Sequence, residues 1–235
     1  MKNVVVCKNC NSENPFYELI CNNCKSYLRE RIYNIDLWKT IGLLIESPSR
    51  AFKTIIFSEH KNFLILLFIL VSGKMLLNGI FLTIYFKKWN AYLSGYFGSY
   101  VIILIFTMIM ILIFSEIFSE VTKTLGVKTK FKDNFSIITY SFLPFTFGFL
   151  ILFPIELILF GEYLFYYNPS PFIIKETFAY ILLSFEAILI IWSIFLTFTA
   201  IKVQSGNTVY SFVFTLFIHL TFYITLYFTA SLIFL

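Results

Sequence analysis

The sequence predicts a mainly α-helical fold: a five-helix transmembrane bundle preceded by interfacial amphipathic helices and a small zinc-ribbon-like β module. Three observations predict it: paired cysteines within the first 24 residues, several long apolar runs, and little charge. Hydrophobic residues make up 59% of the chain and charged residues only 13%. Because a soluble fold of 235 residues needs more charge to cover its surface, the soluble globular class is excluded.

All four cysteines fall in one C-x-x-C-x10-C-x-x-C pattern, at Cys7, Cys10, Cys21 and Cys24. Each pair forms a tight turn with two thiolates, and two such turns complete a tetrahedral four-sulfur site. We therefore predict a structural Zn²⁺ in a module over residues 1–28, which is too small to fold without metal. The alternatives are iron, a redox dithiol, or two disulfides, and a reducing cytoplasm disfavours the last.

Residues 29–61 have the pattern of two short amphipathic helices. Isoleucines recur at helical spacing around Trp38, and a Ser-Pro pair gives the second helix its N-cap and first turn. We expect Trp38 and Phe52 to enter the membrane interface, with Arg50 and Lys53 reaching lipid headgroups. The alternative is that the two helices pack on one another or on the ribbon.

The rest of the chain, residues 62–235, forms the predicted membrane domain. A bilayer needs about 20 apolar residues per helical crossing, and the apolar runs are too continuous for alternating barrel strands. The predicted spans cover residues 63–86, 99–118, 135–160, 177–201 and 208–235. Pro144 and Pro154 each remove a backbone donor, so the third span should be kinked.

The distribution of positive charge predicts the orientation of the chain. Nine Lys and Arg residues precede the first span, four follow the second and one follows the fourth, whereas only three lie on the other side. Cytoplasmic loops carry this excess, so we predict a cytoplasmic N-terminus and, after five crossings, an outside C-terminus. The net charge of +5 then favours anionic lipid rather than nucleic acid as partner.

Ionisable residues inside predicted spans are expensive in hydrocarbon, and three of them lie at a similar depth. Lys74, Glu186 and His219 each stand about ten residues from a span end, at ~1.5 Å rise per residue, which places all three near mid-bilayer. One hypothesis is a proton or solute path through an intramembrane polar cluster. The other is a Lys74–Glu186 pair, with His219 hydrogen-bonded nearby, that fixes the helices in place.

No catalytic pattern accompanies these residues. The chain contains no nucleophile elbow, no His-Glu-x-x-His and no phosphate-binding Gly-rich loop, and it has only two His. We therefore predict a non-enzymatic protein.

Three short motifs are similar to those of a known membrane family. They are Ser47-Pro48-x-x-Ala51-Phe52 before the first span, Tyr140-Ser141-x-x-Pro144 near the third, and Trp192-Ser193 in the fourth, which leads to Ala200 and a Gly206 loop. In these motifs residues 37–230 resemble prokaryotic members of the Yip family, named for eukaryotic proteins that interact with Ypt/Rab GTPases.

The resemblance implies a five-span, non-enzymatic membrane protein with a membrane-organising or trafficking-like role, and an N-terminal zinc ribbon is a plausible companion domain. Eukaryotic members carry Asp-Leu-x-Gly-Pro before the membrane, whereas this chain has Asp36-Leu37-Trp38-Lys39-Thr40. Contacts with a GTPase are therefore not carried over.

Three functional classes follow from these features. The first is a scaffold or adaptor whose cytoplasmic ribbon binds a protein partner. The second is a small transporter or channel that uses the intramembrane polar cluster. The third is a lipid-handling or bilayer-shaping protein that uses the interfacial helices. All three have the lipid bilayer as a partner, and the sequence leaves homo-oligomerisation open.

Overall fold

The computed structural model of the chain describes residues 3–87 and 96–234. In this part of the chain, five apolar helical segments are long enough to cross a membrane: Leu64–Lys87, Phe97–Thr124, Leu143–Phe165, Glu176–Ser205 and Thr208–Ile233. Two small sheets and an N-terminal cysteine cluster accompany them. The predicted fold class is therefore confirmed.

Short strands and helices precede the long helices. The strands are Val4–Val6 (β1), Glu13–Pro15 (β2), Ile32–Asn34 (β3) and Ser58–His60 (β4). The helices are Leu37–Glu46 (α1), Pro48–Phe57 (α2), Leu64–Lys87 (α3), Tyr96–Thr124 (α4), Phe131–Ser141 (α5), Leu143–Phe147 (α6), Phe153–Phe160 (α7), Pro171–Ile174 (α8), Glu176–Ser205 (α9) and Thr208–Ile233 (α10). Strand β1 pairs with β2 antiparallel, and β3 pairs with β4 in parallel.

The described chain divides into two compact units. The first contains the residues up to Leu64 together with Ile111–Ser141 and Phe195–Leu216. The second contains Ile65–Met110, Phe142–Ile194 and the residues from Phe217 onward. The division into ribbon, juxtamembrane helices and membrane domain stays a prediction.

In the first unit, the parallel pair β3–β4 joins the two ends of the α1–α2 hairpin, with Ile32 opposite Ser58. Asp36 caps α1 by accepting a hydrogen bond from the backbone N–H of Lys39 at 3.1 Å. Pro48 begins α2, as the Ser-Pro pair predicted. Helix α1 packs on α2, and α2 packs on α5.

The position of Phe52 differs from the predicted position at the membrane interface. Its side chain is 0% exposed, in contrast to the predicted contact with lipid. The reason is the packing of α2: Ala51, Phe52, Ile55 and Ile56 form a buried face of this helix, which packs on both α1 and α5. The amphipathic pattern is real, but its apolar face is covered by protein.

In the second unit, the third membrane segment is interrupted. It begins at Leu143 instead of residue 135, and a π-helical turn, Gly148–Leu152, separates α6 from α7. Pro154 lacks a backbone N–H, and its ring clashes with the carbonyl four residues earlier, which falls inside this turn. A 3₁₀ turn, Gly161–Phe165, ends the segment.

Glycines let the helices of this unit approach closely. A Cβ built on Gly79 of α3 would lie 2.9 Å from the Cβ of Ala230 in α10. A Cβ on Gly73 would lie 2.7 Å from the Phe149 ring. Small residues at such positions permit the short interhelical distances that membrane helices need for van der Waals packing.

Replacing Gly79 by Val should therefore destabilise the protein by about 1–3 kcal/mol, because the added methyl groups overpack the contact with Ala230. The measurement is the free energy of unfolding in detergent, by titration with a denaturing surfactant. Gly98→Val in α4 is the matched control, because no atom lies within 4 Å of the position that a Cβ would take there. An equal loss in both variants would contradict the close α3–α10 contact.

Candidate metal centre and intramembrane polar site

The two Cys-x-x-Cys turns have the same backbone structure. The repeated bonds run from Cys7 N–H to Ser12 O at 3.0 Å, Asn11 N–H to Cys7 O at 2.9 Å, Cys21 N–H to Ser26 O at 2.9 Å and Lys25 N–H to Cys21 O at 3.1 Å. Asn11 and Lys25 close the turns with positive φ angles of 52° and 60°. Each turn therefore points its two sulfurs inward.

The four sulfur atoms form one compact cluster. The Sγ atoms of Cys7 and Cys24 lie 3.6 Å apart, as do those of Cys10 and Cys21, and all four lie within 4.8 Å of one another. A tetrahedral ion with metal–sulfur bonds of ~2.3 Å requires sulfur–sulfur distances of about 3.8 Å. All four cysteines are free thiols, so the disulfide alternative does not fit. The cluster is compatible with a metal site.

Two serines, each five residues after the first cysteine of a turn, contact the sulfurs. The Ser12 hydroxyl lies 3.0 Å from Cys10 Sγ and 3.2 Å from Cys21 Sγ, and the Ser26 hydroxyl lies 3.1 Å from Cys24 Sγ and 3.2 Å from Cys7 Sγ. Burial and the Cys24 and Cys21 sulfurs raise the pKa of Cys10. In contrast, hydrogen bonds from Ser12 and from backbone N–H groups of the second turn lower the pKa of Cys21 to about 5, and those from the side chain and backbone of Ser26 lower the pKa of Cys24 to about 7. Both effects favour the thiolate form that binds metal.

The cysteine module is fixed to the rest of the first unit on one side. The Arg29 guanidinium lies 4.2 Å from the centroid of the Phe57 ring, at the end of α2. It also donates to the carbonyl of Tyr17 at 3.0 Å, which joins the module to α2. Lys130, just before α5, lies 3.8 Å from Glu18 of the module.

The first unit also contains a buried ion pair that the sequence did not predict. Lys61 and Asp133 are joined at 2.9 Å, with side chains only 2% and 7% exposed. The Lys61 ammonium also donates to the carbonyls of Ile55 and Ile56, the last turn of α2. Burial lowers the pKa of Lys61 and raises the pKa of Asp133. Both residues lie in polar segments, so the sequence carries no sign of their burial.

In the second unit, Lys74 and Glu186 form an ion pair between α3 and α9. Their Nζ and Oε1 atoms are 2.5 Å apart, and the Lys74 side chain is 0% exposed. The lysine stem passes Gly148 so closely that a Cβ there would lie 3.0 Å from Lys74 Cε. The pair expected from sequence is thus formed, and the π-helical turn of the third segment makes room for it.

His219 contacts α9 at a different position along the helix from the Lys74–Glu186 ion pair. Its Nε2 lies 3.4 Å from the Ser193 hydroxyl, and its ring stacks on Phe142 with centroids 5.6 Å apart. Ser193 follows Glu186 by seven residues, or about 10 Å along the helix at 1.5 Å per residue. The structure therefore brings Lys74 and Glu186 together and places His219 two turns away.

Glu156 of α7 takes the place near the pair that the sequence pattern assigned to His219. It is 5% exposed and lies close enough for the charges of Lys74 and Glu186 to act on it. Within residues 3–87 and 96–234, its Oε2 atom has no hydrogen-bond partner. A carboxylate in an apolar run two residues after Pro154 was the available signal.

The remaining predicted membrane contacts lie on the surface. Trp38 is 80% exposed on α1, and Arg50 and Lys53 are exposed on α2. Ile45, two turns after Trp38, is 61% exposed on the same helix. Exposed apolar side chains next to basic ones are the composition of an interfacial helix.

The chain matched no family model, no curated protein and no solved structure. Its class follows from its own structure: it is a multi-pass integral membrane protein with an N-terminal four-cysteine cluster suited to a metal ion. Its apolar helices contact the lipid bilayer.

Replacing Glu186 by Leu should destabilise the protein by about 3–5 kcal/mol, because the Lys74 ammonium is left buried without its partner. Adding Lys74→Met should recover most of that loss, since it removes the uncompensated charge. The free energy of unfolding in detergent, measured for both single variants and the double variant, gives the coupling between them.

Glu176→Leu is the matched control, because Glu176 is exposed at the start of the same helix α9. It should change stability by less than about 0.5 kcal/mol. Additive losses in the double variant would contradict the ion pair.

Proposed function

We propose that the protein is a non-enzymatic, membrane-anchored adaptor whose zinc-bound N-terminal module binds a protein partner. The observation that carries this proposal is that one side of the module packs on protein and another side is exposed. One side is fixed by Arg29 and Glu18 to the rest of the first unit, while the Val6 and Tyr27 side chains are 54% and 71% exposed. An exposed aromatic on a rigid module is typical of a recognition surface.

Zinc is the metal that the ligand set supports best. Four thiolates at tetrahedral spacing form a closed structural site, with no position left open for water or substrate. In this role the ion holds the two turns together, because the hydrophobic core of so small a module is insufficient to do so. The side chains of Ser12 and Ser26 would donate to the metal-bound sulfurs and so keep the ligands oriented.

The proposed partner surface is a cavity of about 530 Å³ on the first unit. Its lining includes the exposed Val6 and Tyr27 together with Lys8 and Arg31. Arg31 already binds Glu59 at 2.6 Å, and Arg29 packs on Phe57. The exposed Val6 and Tyr27 side chains, rather than net charge, therefore characterise this lining. A protein segment with an apolar anchor complements this surface.

The cytoplasm is the proposed location of this surface. The support is the excess of Lys and Arg before the first span and in the loop after the second. The same placement keeps the cysteines reduced, as metal binding requires. An odd number of crossings then leaves the C-terminus outside.

The Yip-like resemblance supports a membrane-organising or trafficking-like role. The residues of its motifs make contacts that stabilise the fold. Tyr140 donates to the carbonyl of Asn62 at 2.7 Å, and Ser141 accepts a hydrogen bond from Thr197 at 2.9 Å. Trp192 stacks on Phe147 with centroids 5.8 Å apart. Burial raises the pKa of Tyr140 further above neutral pH.

Purified protein should contain one zinc ion per chain, measured by elemental mass spectrometry against protein concentration. Cys10→Ser should abolish zinc retention, because three thiolates no longer complete the site. Limited proteolysis should then cut within the first 30 residues while the membrane segments stay intact. Lys8→Ser is the control, because it changes an exposed residue between Cys7 and Cys10 and leaves all four ligands. Iron instead of zinc would contradict the metal assignment.

A photo-crosslinking residue in place of Tyr27 should give a discrete protein adduct in native membranes, because position 27 lies on the proposed surface. Cys10→Ser in the same chain should abolish the adduct, since the surface depends on the metal-bound fold. With the partner identified, Tyr27→Ala should weaken its binding roughly tenfold or more.

The same crosslinker in place of Trp38 is the matched control, because Trp38 is similarly exposed but lies outside the cavity lining. It should yield lipid adducts and not the protein adduct. An adduct pattern that is the same at both positions, or unchanged by Cys10→Ser, would contradict an adaptor role of the module.

A further inference from the structure

We propose that the second unit contains a binding site for a small lipophilic monocation, an alkyl or aryl ammonium ion whose charged head meets the carboxylate of Glu156. The site is a cavity of about 270 Å³ between the helices of this unit. It is distinct from the cysteine module and does not depend on the adaptor role.

The cavity is long and narrow. Along α3 its lining runs from Asn78 to Phe86, which are eight residues or about 12 Å apart at 1.5 Å per residue. At ~30 Å³ for each water-sized group, its volume holds about nine non-hydrogen atoms, so the end of a longer alkyl chain would extend past the exposed Phe86. The ligand is therefore slender and smaller than a membrane phospholipid.

The two ends of the cavity differ in chemistry. Glu156, Glu186, Asn78 and Tyr223 supply the polar groups. The Phe86 end is aromatic and apolar, and it reaches the surface, since Phe86 is 70% exposed. A ligand could thus enter from the lipid-facing side with its polar head first.

The charges at the polar end favour a cation. The Lys74 ammonium is already bound to Glu186 at 2.5 Å. Glu156 adds a second carboxyl group, and its Oε2 atom has no hydrogen-bond partner within the described residues although its side chain is 5% exposed. A buried carboxylate without a partner is costly, and because Glu156 lines the cavity, an ammonium ion that donates to its carboxylate lowers that cost.

The walls of the cavity favour the same ligand. Phe81, Tyr85 and Phe172 surround the path to the polar end, and the Tyr85 and Phe172 rings pack edge to face with centroids 6.0 Å apart. The faces of aromatic rings carry partial negative charge and attract cations in a dry environment. An alkyl chain gains from burial along the same walls.

Decylamine, decanol and decanoate are suitable probes, because they have one chain length and differ in the charge of the head. Protein in lipid nanodiscs should bind radiolabelled decylamine saturably at one site, measured by scintillation proximity after subtraction of empty nanodiscs. Decanol should compete roughly 10- to 100-fold more weakly, because it lacks the charge-assisted hydrogen bond. Decanoate should not compete.

Glu156→Gln should lower the affinity for decylamine to that for decanol, because the amide keeps the shape of the side chain but not its charge. Glu176→Gln is the matched control and should bind like the wild type, since Glu176 is exposed outside the cavity lining. Ala179→Leu should weaken decylamine and decanol together by filling part of the cavity.

Thermal unfolding of each variant verifies that it is folded before binding is compared. Three results would overturn the proposal: no saturable binding above empty nanodiscs, equal competition by decanol and decylamine, or an unchanged preference for the cation in Glu156→Gln. Equal competition would show that Glu156 is neutral and that the cavity accepts apolar chains of any head group.

Discussion

The ion pair between Lys74 and Glu186 is the constraint on which the second unit depends. A charge in hydrocarbon is costly unless a partner lies beside it, so these two residues hold α3 and α9 in one register. Their contact requires space, and Gly148 provides it where the Lys74 stem passes. The third segment is π-helical at this point, so the interruption associated with Pro154 coincides with the place where the Lys74 side chain passes.

The fold was predictable from sequence where the signal is local. Long apolar runs identified five membrane helices, and the Ser-Pro pair identified the start of α2. The start of the third segment was predicted eight residues too early, because residues 135–142 are apolar enough to extend it while the helix breaks before Pro144. The parallel pairing of β3 with β4 joins residues 26 positions apart and has no local signature.

The residues of the candidate sites were likewise predictable only where the signal is local in the sequence. The four cysteines were predictable because their spacing in sequence fixes their spacing in space. Phe52 was assigned to the wrong environment, since an amphipathic pattern shows that a helix has an apolar face but not whether lipid or protein covers it. Glu156, and the buried pair of Lys61 with Asp133, became recognisable only through the elements that surround them.

The duplicated Cys-x-x-Cys turns have a consequence for how the N-terminal module responds to its surroundings. Each sulfur of one turn stands 3.6 Å from a sulfur of the other, so a single metal ion bound by all four would join both turns. Loss of such an ion would release the two turns simultaneously, because neither turn alone supplies a complete ligand set. With a metal bound in this way, the N-terminal module would fold in an all-or-none manner, and its folded fraction would follow the supply of metal in its compartment.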